Sequence, residues 1–128
     1  MGIFNKLFGG THETEENSKL PWVNLVDKEQ LNLLEEASNN KLQIIFKHST
    51  RCGISSMVKR QFEKEFPINI NVDLYYLDLL KYRDISNQIT TKFNIQHESP
   101  QLLIVKGGEV IKHASHGQIN DLDLKTFV

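Results

Sequence analysis

The chain of 128 residues contains one cysteine, Cys52. A single cysteine closes no disulfide within its own chain, and it rules out a metal site built on a cysteine pair there. The shortage also fits a reducing compartment. Long apolar runs are missing too: none approaches the roughly 18 residues that a transmembrane helix needs. Neither sign of charge is in excess, with a formal net charge of −1, so nothing global argues for a nucleic-acid or acidic-membrane partner. Internal repeats and low-complexity tracts are absent. The opening Met1-Gly2-Ile3-Phe4-Asn5-Lys6-Leu7-Phe8 is too short and poorly organised for a secretory signal. It carries Gly2, but Lys6 stands where a myristoylation motif wants Ser or Thr. These absences make the cytoplasm the expected location.

What is present describes one ordinary globular domain. Hydrophobic residues make up 39% and charged residues 24%, both usual for a soluble protein. The length favours a single domain that can bury a core without staples. Residues 9–19 are polar and Gly-led and read as a linker. Residues 1–19 are therefore expected to be a flexible N-terminal tail and linker, and 20–128 the folded domain. The tail reads as a small amphipathic segment, or as a docking patch built on Ile3, Phe4, Leu7 and Phe8.

Within the domain, Trp22 to Val26 alternates as a short strand does. Asp27, with Gln30 three residues on, is a helix-start signature of the capping-box type, and Leu31, Leu34 and Ala37 share one face of the helix that follows. Leu42 to Lys47 is nearly all apolar, which suggests a central strand. From Gly53 the period changes, and Ile54, Met57, Val58, Phe62 and Phe66 fall at helical spacing until Pro67 stops the helix. Asn71 to Leu79 is a third strand and Arg83 to Phe93 a third helix, with Asn94 as a left-handed C-cap. Ser99-Pro100 precedes a strand over Gln101–Val105. Gly107-Gly108 signals a tight turn, and Glu109 to Ala114 the return strand. Gly117 then breaks the chain, and Asp121 is expected to open a last short helix. The order β-α-β-α-β-α-β-β-α is that of an α/β fold. Alternation implies parallel pairing through crossover helices, and the final hairpin must be antiparallel. The result is a mixed sheet with helices on both faces.

The chemistry falls at Cys52, at or beside the N-cap of the helix that starts near Gly53. The first turn of a helix presents free N–H groups and the positive end of the helix dipole. Both favour a thiolate, the attacking species in thiol–disulfide exchange. Lys47, His48 and Arg51 add positive potential if they turn that way. Without a reactive role, Cys52 would pack as a small buried hydrophobe. Ser55 stands where a Cys-x-x-Cys motif has its resolving thiol. It reads either as an exposed first-turn residue or as a hydroxyl bonded to the Cys52 sulfur. Pro100, judged alone, would be trans. His113 and His116, on a strand and turn, do not aim at one metal. His97 could approach Cys52 as a Cys–His hydrolytic pair, but no third group or oxyanion element accompanies it.

Taken together, a strand, Cys-x-x-Ser at a helix start, a later Ser-Pro before a strand, a Gly-Gly hairpin and a terminal helix resemble the thioredoxin superfamily over residues 21–128. More narrowly, Phe46-Lys47-His48-Ser49-Thr50-Arg51-Cys52-Gly53-Ile54-Ser55 and His97-Glu98-Ser99-Pro100-Gln101 resemble the monothiol bacilliredoxins of the bacillithiol system (the YtxJ-type proteins). This resemblance implies a thioredoxin-like fold and a cis Ser99-Pro100 bond beside Cys52. It further implies that the Ser99 backbone is offered to an incoming disulfide. The implied activity removes bacillithiol from protein mixed disulfides. Cys52 would be the attacking group, and Arg51, Gly53, Ser55, Ser99, Pro100 and Lys47 the residues around the thiol and its substrate. Arg51 and Lys47 would hold the thiolate and the carboxylates of bacillithiol, although Lys47 can instead point to the core side of the sheet. Bacillithiol would be a thiol co-substrate, with no tightly bound cofactor or metal. The partners would be bacillithiolated proteins, bacillithiol and another redoxin or reductase. The chain departs from thioredoxins in having Arg51 before the cysteine, Ser55 in place of a second cysteine and Phe46 in place of a buried acid. Many relatives carry proline where Gly53 stands. Cys-Gly-Ile-Ser also resembles the Cys-Gly-Phe-Ser of monothiol glutaredoxins, which bridge an iron–sulfur cluster between two chains. That makes a cluster carrier the alternative, though their Thr-Val-Pro is missing.

Overall fold

A computed structural model describes residues 20–67 and 69–128. The tail and its Ile3, Phe4, Leu7 and Phe8 patch lie outside the described residues. Five strands and three α-helices follow in the order β1 (Trp22–Asn24), α1 (Glu29–Ala37), β2 (Leu42–His48), α2 (Gly53–Glu65), β3 (Val72–Asp78), α3 (Arg83–Phe93), β4 (Gln101–Lys106) and β5 (Glu109–Ser115). The strands form one mixed sheet in the order β1-β3-β2-β4-β5. β1 and β2 both run parallel to β3, whereas β4 is antiparallel to β2 and β5 to β4. The α/β class and the mixed sheet are as the sequence implied. The alternation rule misses the direction of β4, because segment 94–100 carries the chain back to the C-terminal end of β2 before β4 begins.

All seven residues of β2 are buried. That is the consequence of a central position with helices over both faces. Alternation along the strands splits the core in two. Ile44, Phe46, Leu74, Leu102 and Ile104 pack with Val58 and Phe62 of α2. Ile45, Leu77, Leu103 and Val105 pack on the other face with Leu31 and Leu34 of α1 and Ile85 and Ile89 of α3.

Local signals set the joints. Asp27 Oδ1 accepts from Glu29 N at 3.0 Å, while Gln30 Oε1 accepts from Asp27 N at 3.0 Å. This reciprocal pair is the expected capping-box chemistry at the start of α1. Gly107 and Gly108 sit at φ +62° and +82°, a region open to glycine at little cost. Their N–H groups donate to Ser38 O and Ser38 Oγ, tying the hairpin to the end of α1. Asn94 closes α3 in the left-handed region, at φ 56° and ψ 46°. Because Asn94 is exposed, Asn94→Val tests the backbone alone. Its urea midpoint is expected to fall by the equivalent of about 1–2 kcal/mol, and an unchanged midpoint would refute the strain.

The end of the chain corrects the sequence reading. Asp121 does not open a helix; it closes a 3₁₀ turn over His116–Asp121, and a second 3₁₀ turn covers Leu124–Thr126. Ile119 and Leu124 both pack into the α2-side core. Five residues apart, they would not share one stripe of a continuous α-helix. The extended Leu122 between them lets both turn inward. Asp123, not Asp121, then caps, with Oδ1 accepting from Lys125 N.

Candidate redox site

The register Lys47↔Gln101 sets the C-terminal end of β2 beside the start of β4. The loop that carries Cys52 and the turn that carries Ser99 and Pro100 therefore lie at the same end of the sheet. Cys52 is the N-cap of α2, in extended conformation at φ −108° and ψ 119°. Its N–H donates to Ser49 O at 3.1 Å, and its carbonyl accepts from Ser56 N at 3.0 Å. The side chain is half-buried, at the end of a helix whose first N–H groups and dipole stabilise negative charge. Arg51 and Gly53 are exposed on either side. A Cβ built on Gly53 would meet nothing within 4 Å, so the surface beside the thiol is open.

The peptide bond Ser99-Pro100 is cis, as the resemblance implied and proline alone did not. Pro100 is buried, and its carbonyl accepts from His116 N at 3.0 Å. The preceding loop is clamped by Gln101, itself 1% exposed. Its Oε1 accepts from Glu98 N at 3.3 Å and its Nε2 donates to Gln96 O at 3.0 Å. Ser99 Oγ is buried without a hydrogen-bond partner among the described residues.

A family model described as Monothiol bacilliredoxin BrxC matches residues 23–124. The chain belongs to the monothiol bacilliredoxin family. A solved protein with a thioredoxin fold is 34% identical, with a TM-score of 0.70 over 82% of this chain and 91% of its own. Two thioredoxins share the fold at lower identity. The one from Nicotiana alata is 18% identical, with a TM-score of 0.65 over 83% of this chain and 90% of its own. The one from Schistosoma mansoni is 21% identical, with a TM-score of 0.64 over 84% and 95%. Family and fold together make thiol–disulfide redox chemistry the function of this bacilliredoxin.

Two expectations about side chains around the bacilliredoxin motif need correction. Ser55 is neither an exposed first-turn residue nor a partner of the Cys52 sulfur. It is fully buried, and its Oγ accepts from Ser49 N at 3.2 Å and meets His48 Nδ1 at 2.8 Å. The hydroxyl braces the loop below Cys52 and leaves the sulfur free of it. Of the two orientations expected for Lys47, it takes the core-side one and is no surface cation. It is 0% exposed, and its Nζ lies 2.7 Å from His97 Nδ1. Strand alternation turns Lys47 to the α3 side and His48 to the α2 side, which withdraws the Lys47 ammonium from direct contact with a bound carboxylate.

Burial shifts both groups. Desolvation lowers Lys47 from 10.5 to about 8, against the opposing pull of Glu98. His48 falls from 6.5 to about 4, through desolvation first and then Lys59, with Asp78 and Glu63 opposing. Desolvation, Lys47 and Arg83 also lower His97, against Glu98. Beneath His48, Lys59 Nζ pairs with Glu63 Oε2 at 2.7 Å and lies over the Trp22 and Tyr76 rings. His97 is held by Lys47 and by Ser86 Oγ at 3.3 Å, so its Nδ1 is committed away from any Cys–His pair. The sequence reading missed the His48–Ser55 contact and the Gln101 clamp. Lys47-His48, the polar pair ending a largely apolar strand, marks buried polar groups there but not their partners.

His113 and His116 are exposed. Among the described residues no group of three or more His, Cys, Asp or Glu gathers to hold a metal, and no helix is long and apolar enough to cross a membrane.

Proposed function

We propose that this protein removes bacillithiol from cytoplasmic protein mixed disulfides by exchange at Cys52. The observation that supports it is the chain's single thiol, half-buried at the N-cap of α2, in a member of the monothiol bacilliredoxin family. In the first step the Cys52 thiolate attacks the bacillithiol sulfur. A new S–S bond forms to Cys52 as the old one breaks, and the electron pair leaves with the target protein's thiolate. Cys52 is then bacillithiolated. No second cysteine resolves that state from within. A second bacillithiol thiolate attacks instead, releasing bacillithiol disulfide and regenerating Cys52, or the thiolate of another redoxin or reductase takes bacillithiol onto itself as a mixed disulfide and frees Cys52.

The neighbours have distinct roles in this reading. The helix end stabilises the thiolate, and exposed Arg51 offers a bidentate donor to a carboxylate of bacillithiol. Gly53 leaves room for the small thiol. Ser55 holds the loop, and Ser99 beside Pro100 presents its backbone to the incoming disulfide. Bacillithiol is a co-substrate here, not a resident cofactor. The family match favours exchange over the glutaredoxin-like cluster carrier.

Intact mass spectrometry after mixing with a bacillithiolated protein tests the proposal. The expected result is a gain of one bacillithiol per chain, mapped to the peptide that contains Cys52. A folded protein that gains no mass would sink it.

A further inference from the structure

The loop before the cis turn is more heavily anchored than strand pairing needs. Gln101 clamps the backbone on both sides of His97, at Gln96 and Glu98. Lys47 from β2 and Ser86 from α3 both meet His97 Nδ1. Lys47 is fully buried, and an apolar side chain of similar size usually fills such a place with no desolvation cost. A buried lysine kept at the functional end of the sheet points to a task.

Its geometry defines the task. A lysine ammonium only donates hydrogen bonds. At 2.7 Å from Nδ1 it requires that nitrogen to be the unprotonated acceptor, so the ring carries its proton on Nε2. His97 is itself exposed, three residues before Pro100. The Lys47 contact thus fixes one tautomer and one anchoring atom, and leaves an N–H donor at the rim of the cis-proline turn. Lys47 below and Arg83 nearby make the local potential positive, with Glu98 the opposing charge.

We infer that His97 is the binding residue for a carboxylate on the small-thiol half of the mixed disulfide, and that Lys47 is the positioning residue that sets its tautomer. This rests on the exchange reading and adds the group that selects which low-molecular-weight thiol is taken. Arg51, exposed beside Cys52, would hold another anionic group of the same molecule.

The test uses one peptide cysteine in two mixed disulfides, one with bacillithiol and one with uncharged 2-mercaptoethanol. Single-turnover loading of Cys52 gives a maximal rate and a half-saturating concentration for each. The wild type is expected to prefer the bacillithiol probe. His97→Ala should lose about tenfold of that preference, in line with one charge-assisted hydrogen bond, through the half-saturating concentration and not the maximal rate. Lys47→Met should move the same way, by less. Nitrogen chemical shifts of His97 should show the Nε2–H tautomer in the wild type and a mixture in Lys47→Met. An undiminished preference in folded His97→Ala, an equal loss for both probes, or an Nδ1–H tautomer in the wild type would overturn the inference alone. No loading of wild-type Cys52 by either probe would sink the exchange reading and this inference with it.

Discussion

Replacing Cys52 with alanine is expected to abolish exchange outright while leaving the fold as stable as before. The chain holds no other thiol, so the variant has no sulfur with which to form a mixed disulfide. Activity should fall to the rate of the uncatalysed thiol reaction, not to a slower enzymatic one. The structural cost is small because the residue is half-buried and belongs to neither apolar cluster. Its helix-end role is carried by the backbone, through Cys52 N to Ser49 O and Ser56 N to Cys52 O, both of which alanine keeps. A thermal melt shifted by less than about 4 °C, the equivalent of roughly 1 kcal/mol or less in a domain this size, would accompany the loss. Residual transfer above the thiol background would show that the chemistry lies elsewhere.

The second large effect is on stability, and it runs the same way at both ends of the pH scale. His48 titrates near 4 in the folded chain and near 6.5 when unfolded. Between those values the unfolded chain binds more protons, so stability falls as pH drops through the window. Lys47 titrates near 8 when folded and 10.5 when unfolded. There too the unfolded chain holds the extra proton, so stability rises as pH climbs from about 8 toward 10.5. Each shift corresponds to about 3 kcal/mol. Urea midpoints across a pH series should show both limbs. His48→Gln should flatten the acid limb and Lys47→Met the alkaline one. A limb that survives its variant belongs to other groups.

Much of this was legible in the chain. The strand over Leu42–Lys47 announced itself by nearly continuous apolar residues, and α2 by a change of period from Gly53. The capping box at Asp27 and Gln30 and the glycine hairpin carry their geometry in residue type, because caps and positive-φ turns are satisfied within a few residues. Where two distant segments meet, local pattern falls silent. Nothing around Ser55 points to His48, seven positions earlier on a strand. Nothing around Lys47 points to His97, fifty positions later.

Cys52 illustrates the division. The sequence by itself determined that this protein has one thiol, at the start of a helix, with no partner to resolve it. Those are facts of composition and local period. The tertiary structure decided what surrounds that thiol. Strand alternation sends Lys47 and His48 to opposite faces, and the sheet register brings the Ser99-Pro100 turn to the same end as Cys52. Burial then costs Lys47 and His48 their water and lowers the affinity of each for a proton. Contacts of this kind depend on which atoms folding brings within 3 Å, and no local pattern encodes that distance.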